Sequence, residues 1–139
     1  MASLQPGQVV QMAQLDGVSE QDSDGLHYLV EFTEPAQIEA DAVYLWLSER
    51  IGLDYAIRWY EGLFLVAREL SSLPRANPIA PESDRYDVEV RRLLYYGPSK
   101  RRGSQAYRLL FHIIEPQEDE TEGIVRILHV WHGAKGPST

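Results

Sequence analysis

Between Val90 and Ile114 the chain carries Arg91, Arg92, Lys100, Arg101, Arg102 and Arg108, and no acid. Guanidinium and ammonium groups gathered in this way can hold phosphates or an acidic partner. The structural alternative is a solvated hairpin tip, since charge runs usually lie on a wet surface. The island stands against an acidic background, because the whole chain has a formal net charge of −8 and a pI near 4.9. Taken whole, such a balance argues against a nucleic-acid binder, because phosphate contacts want excess Lys and Arg. Part of the acidity lies in residues 1–25, where Asp16, Glu20, Asp22 and Asp24 meet no basic residue. His129 and His132 are the paired imidazoles of the C-terminal region. Three residues apart on a strand they point to opposite faces, so no metal site is expected there. Cysteine is absent, which excludes disulfides and thiolate metal ligation and suits a reducing compartment. No cofactor is expected.

These residues need elements to position them. Leu26, Tyr28, Val30 and Phe32 alternate with His27, Leu29 and Glu31, which predicts a first strand over 26–32. Thr33 sits where a helix N-cap belongs, and Pro35 suits the first turn, where its missing N–H costs nothing. Ala36, Ala40, Val43, Leu47 and Ile51 recur every three or four residues as the apolar stripe of that helix, and Gly52 ends it. A second helix follows with Asp54 as its expected cap and Trp59, Leu63, Val66 and Leu70 as its stripe, flanked by Tyr60 and Ala67. Trp46, Trp59 and Tyr60 are expected in the core. The link between the helices is so short that they must form an antiparallel hairpin. A Pro-rich connector over 74–87 leads to strand patterns at 88–96, 106–114 and 124–132, joined by short turns that predict antiparallel pairing.

The expected architecture is therefore α+β in the order β-α-α-β-β-β. A helical hairpin packs on an antiparallel, or alternatively mixed, four-stranded sheet, whose other face is partly free for chemistry. A length of 139 residues suits one domain. Residues 26–136 form it, residues 1–25 read as a mobile acidic leader, and residues 137–139 as a tail. No apolar run is long enough for a membrane span and no secretory signal is visible, so a cytoplasmic protein is expected, with no membrane partner.

Several blocks occur in order on these elements: Tyr28–Thr33, Ala80-Pro81-Glu82, Val90–Gly97, Tyr107-Arg108-Leu109-Leu110-Phe111, and Val125–Lys135 ending in His132-Gly133-Ala134-Lys135. Together they resemble the RelE/ParE superfamily of toxins from type II toxin–antitoxin systems, over about residues 26–136. The resemblance implies a toxin silenced by a cognate antitoxin that wraps it with an extended segment. It also implies one of two activities: cleavage of mRNA on the ribosome, or inhibition of DNA gyrase by binding alone. A silent toxin-fold interaction protein is the third alternative.

Cleavage of RNA through its 2′-hydroxyl needs a base, cations for the phosphate, and an acid for the leaving oxygen. The resemblance places Arg108 at the position of the family's phosphate-binding arginine, for which a planar fork is well suited. It places His132 at a C-terminal histidine able to exchange protons near neutral pH. Glu82 falls near the general base. Arg91, Arg92, Lys100, Arg101, Arg102 and Lys135 are the expected contacts to nucleic acid or antitoxin. Each has a structural alternative: Arg108 pointing to solvent or paired with an acid, His132 as a strand-end hydrogen-bonding group, Glu82 as an exposed acid after proline. Two departures weaken the nuclease expectation and leave room for a gyrase inhibitor or a silent protein: no tyrosine follows His132, and the domain stays net acidic.

Overall fold

The structure is a computed structural model and describes residues 27–98 and 106–132. The expected leader, the tail, the Lys100–Arg102 run and Lys135 lie outside the described residues. Four strands, β1 (His27–Phe32), β2 (Arg91–Tyr95), β3 (Tyr107–Ile114) and β4 (Glu122–His132), form one sheet in the order β1-β4-β3-β2. Two helices, α1 (Glu34–Arg50) and α2 (Leu53–Arg68), connect β1 to the rest. The sheet is mixed, because β1 runs parallel to β4 while the β2–β3 and β3–β4 pairs are antiparallel. A helical crossover from the first strand allows this, whereas the short turns of the other strands force antiparallel neighbours. Among the described residues no helix is long and apolar enough to cross a membrane.

Thr33 caps α1 as expected, its hydroxyl accepting the Ala36 N–H at 3.3 Å, and Pro35 sits in the first turn. Gly52 closes α1 with φ 145°, a value L side chains rarely adopt, and its N–H reaches the Leu47 carbonyl at 3.1 Å. The second helix starts two residues earlier than expected. Gly52 occupies its cap position, and Asp54 lies inside the first turn, where an acid still complements the helix dipole.

One core fills the space between helices and sheet. Tyr28, Val30, Phe32, Leu109, Phe111, Val125 and Ile127 come from the sheet and meet Ala36, Ala40, Trp59, Tyr60, Leu63, Phe64 and Ala67. A polar tie runs through the helical layer: Gln37 Nε2 donates to Tyr60 Oη at 2.9 Å, and Tyr60 Oη donates to Asp41 at 2.7 Å. The two ends of the expected stripes differ from the core. Ile51 is 59% exposed because it follows the last turn of α1, and Trp46 is 49% exposed on the shoulder of the helix beside Val43. Trp46 is therefore a surface residue.

A second, smaller cluster covers the other face of the sheet. Ala80, Val90 and Leu110 are buried there, with Tyr86, Leu128 and Trp131 packed around them. The connector reaches this face by bridging the outer edge of β2: Ala80 N–H donates to Val90 O at 2.8 Å and Arg92 N–H to Pro78 O at 3.0 Å. It is less irregular than its prolines suggest, with 3-10 turns at Pro74–Ala76 and Pro81–Arg85.

Gly62 of α2 lies tight against β2, since a Cβ there would run into the Tyr95 hydroxyl, which donates to Trp59 O at 2.8 Å. Gly62→Ala should destabilise by about 1–3 kcal/mol through overpacking, although alanine's helix propensity offsets about 1 kcal/mol of that. Adding Tyr95→Phe removes the clashing oxygen, so urea unfolding should give the double variant less loss than the sum of the singles. Strict additivity would show that the two residues do not touch.

Candidate functional site

The register of β3 on β4 decides which side chains share a face. From Ile114↔Ile124 to Phe111↔Ile127 the ladder is regular; then Leu110 pairs with His129, so Leu128 is an extra residue on β4. Such a bulge shifts the pairing by one, and a one-residue shift exchanges the two faces. Beyond it Arg108 pairs with Trp131 and Tyr107 with His132. Opposed residues share a face and neighbours along a strand do not. Arg108 and Trp131 thus lie on the open face, while Tyr107 and His132 lie on the helix side.

The open face gathers a cluster of charged and aromatic groups under the connector. Arg108 donates from Nη2 to Glu82 Oε2 at 2.6 Å, with side-chain exposures of 8% and 14%. The guanidinium carbon also lies over the Trp131 ring, 5.9 Å from its centroid. Two expected residues, 26 positions apart in the chain, therefore meet directly. The 3-10 turn Pro81–Arg85 delivers Glu82, and Ser83 steadies that turn by accepting Val90 N–H at 3.0 Å. The hydrogen bond from Arg108 holds the Glu82 carboxyl below the usual carboxylate range, against the opposing effect of burial. Glu82 Oε1 is buried with no hydrogen-bond partner among the described residues. Beside the pair, His129 stacks on Trp131 with ring centroids 4.4 Å apart, and Tyr86 lies 6.5 Å from His129. Burial, and then the negative charges of Glu82 and Glu39, push the Tyr86 hydroxyl above its usual value.

His132 is not part of this cluster. Its ring lies 4.7 Å from that of Tyr107, at an apolar hollow of about 300 Å³ lined also by Ala42, Val43 and Trp46. The physical reason is the bulge. Continued without it, the register of Phe111↔Ile127 would set His132 opposite Ala106, on the face of Arg108.

The described part of the basic island is divided as well. Arg91 and Arg92 are opposite Phe111 and Leu110 and so point to different faces. Arg91 is consumed in holding the connector: it donates to Asn77 O at 2.6 Å and to Glu89 at 3.1 Å. Arg92 shares the open face with Arg108 and has no ion pair among the described residues. Strand alternation thus splits Arg91 from Arg92, and the Glu82 carboxylate offsets the charge of Arg108.

Sequence reasoning missed His129, Trp131, Tyr86 and Glu39. The first two reach the open face only through the bulge. Glu39 resembles any acid near a helix N-terminus. The comparisons with known proteins give no guide to the site: no family, no curated protein and no solved structure matches this chain.

Glu82→Ala should cost on the order of 3 kcal/mol at pH 7, because it strips the carboxylate from a buried guanidinium. Glu82 has a folded pKa below its unfolded one, so its stabilising effect is complete above about pH 4.5 and is lost as pH falls through the lower folded value. Glu115, held down by its hydrogen bond from Arg75, follows the same sign. Thermal melts from pH 7 to 2.5 should therefore show the wild type losing stability below about pH 4.5, and the gap to Glu82→Ala narrowing. A gap that stays constant to pH 2.5 would contradict the ion pair.

Proposed function

We propose that this chain is the toxin of a type II toxin–antitoxin pair, with a RelE/ParE-like fold, and that its open sheet face cuts mRNA on the ribosome. The observation that carries this reading is the Glu82–Arg108 pair at 2.6 Å, beside His129 and Trp131, on the face left by the helices. The α+β architecture, two helices on a four-stranded sheet, is compatible with that fold. The reading also rests on the ordered sequence blocks that resemble the superfamily.

The proposed chemistry needs no metal. The incoming phosphate takes the Arg108 guanidinium from Glu82, for which a bidentate fork is suited. Losing that hydrogen bond returns the Glu82 carboxyl toward its ordinary value, which improves it as a base. Glu82 then accepts the 2′-hydroxyl proton, the 2′-oxygen bonds to phosphorus, and the P–O5′ bond breaks. His129, as the imidazolium, gives its Nε2 proton to O5′. The products are a 2′,3′-cyclic phosphate and a 5′-hydroxyl end, and Glu82 and His129 recover their protonation states by exchange with water. Trp131 offers a ring for base stacking. His129 thereby replaces His132 in the acid's role. The antitoxin would silence this face by covering Arg92 and the Glu82–Arg108 pair with an acidic segment, and its apolar anchor would fill the hollow at Trp46 and His132.

A second reading is favoured by the small exposure of Arg108, 8% of its side chain. An arginine so enclosed and neutralised suits a structural strut, and the protein would then act by binding, as a DNA gyrase inhibitor. Tightly controlled expression separates the two. Cut mRNA and arrested translation are expected for the nuclease, DNA damage and filamentation for the inhibitor. Under the nuclease reading Arg108→Ala, Glu82→Gln and His129→Ala each lower cleavage by about 10²–10⁴-fold, while His132→Ala stays active. Loss of activity in His132→Ala with full activity in His129→Ala would reverse the reassignment.

A further inference from the structure

Beyond Ile127 the last strand has no strand neighbour on its β1 side, because β1 ends at Phe32, opposite Ile127. Glu39, in the second turn of α1, occupies that gap. Its Oε1 accepts the Val130 backbone N–H at 2.9 Å, and its Oε2 accepts the Trp131 indole N–H at 3.1 Å. His129 Nδ1 lies 3.0 Å from the same Oε2 and 3.2 Å from Oε1. An amide and an indole nitrogen can only donate, so two fixed donors hold this carboxylate as an acceptor. The nitrogen of His129 that faces it is then the protonated one.

We infer that Glu39 is a positioning residue for His129: it fixes the Nδ1–H form of the imidazole and leaves Nε2 as the nitrogen that exchanges protons on the open face. One carboxylate thus sets three things together. It ties the ring plane to the sheet through Val130, anchors the Trp131 indole on which the ring stacks at 4.4 Å, and selects the tautomer. Side-chain exposures of 23% for His129 and 26% for Glu39 leave both groups partly screened and the ring still reachable. A carboxylate behind an imidazole is the arrangement by which a third group orients an acid or base. After His129 releases its Nε2 proton, the neutral ring left behind is the Nδ1–H form, and its bond to Glu39 is unbroken. A purely structural edge cap would need only the Val130 and Trp131 contacts.

The role in catalysis rests on the nuclease reading, but the tautomer does not. Long-range ¹H–¹⁵N correlation spectra of the full chain, at a pH where the ring is neutral, should show His129 protonated at Nδ1. Glu39→Gln should abolish that preference, because its amide group turns a donor toward the ring or the indole. His129→Gln serves as the folded control, since it leaves the Val130 and Trp131 bonds to Glu39 intact. In cleavage assays Glu39→Gln should lower kcat about 10–100-fold and His129→Gln about 10²–10⁴-fold, with KM nearly unchanged. Nε2–H as the neutral wild-type form, or a Glu39→Gln variant that is less stable yet keeps the wild-type tautomer and kcat, would overturn the inference. A wild-type chain that cuts no RNA but shows the Nδ1–H form would overturn the nuclease reading and leave the positioning role standing.

Discussion

A single extra residue in the last strand, Leu128, governs which side chains meet on the open face. Its consequences follow from the two-residue period of a strand, in which one inserted residue moves everything beyond it to the other side. The bulge is held from outside the sheet. Thr33 donates its amide to Ile127 O at 3.0 Å and its hydroxyl to Ile127 O at 2.9 Å, while the same hydroxyl caps α1. One threonine thus ends β1, starts α1 and fixes the strand at the point where its pairing shifts. Glu39, in the second turn of α1, takes up the free edge. The geometry of the candidate site is therefore set largely by α1, an element on the opposite side of the sheet.

The open face carries an electrostatic tension. Enclosing the Arg108–Glu82 pair costs desolvation of both groups, and the attraction between them repays it only if their remaining donors and acceptors are well placed. Glu82 Oε1 has no donor among the described residues, so that repayment is incomplete. A stable fold alone is served as well by apolar residues in such a place. The aromatic surroundings, Trp131 and Tyr86, lower the local polarity and sharpen every charge interaction near them.

Much of the framework was legible in the residues. Thr33 and Pro35 marked the start of α1 and Gly52 its end, because caps and breakers act through local backbone chemistry. Alternation revealed β1, β3 and β4. Trp46 escaped such reasoning, since an aromatic on the shoulder of an apolar stripe is buried only if another layer covers it. The parallel seating of β1 was equally hidden, as its partner lies far along the chain.

The residues by themselves determined the elements, their order, and the types of group available for chemistry: an arginine on a strand, an acid after a proline, histidines near the end. Those follow from short-range periodicity and capping. Only the tertiary structure decided which of them meet. It paired Arg108 with Glu82, exchanged His132 for His129, and brought Glu39 from a helix to the strand's free edge. Register between distant strands, and a bulge held by a threonine ninety-four positions away, depend on packing that no local pattern encodes.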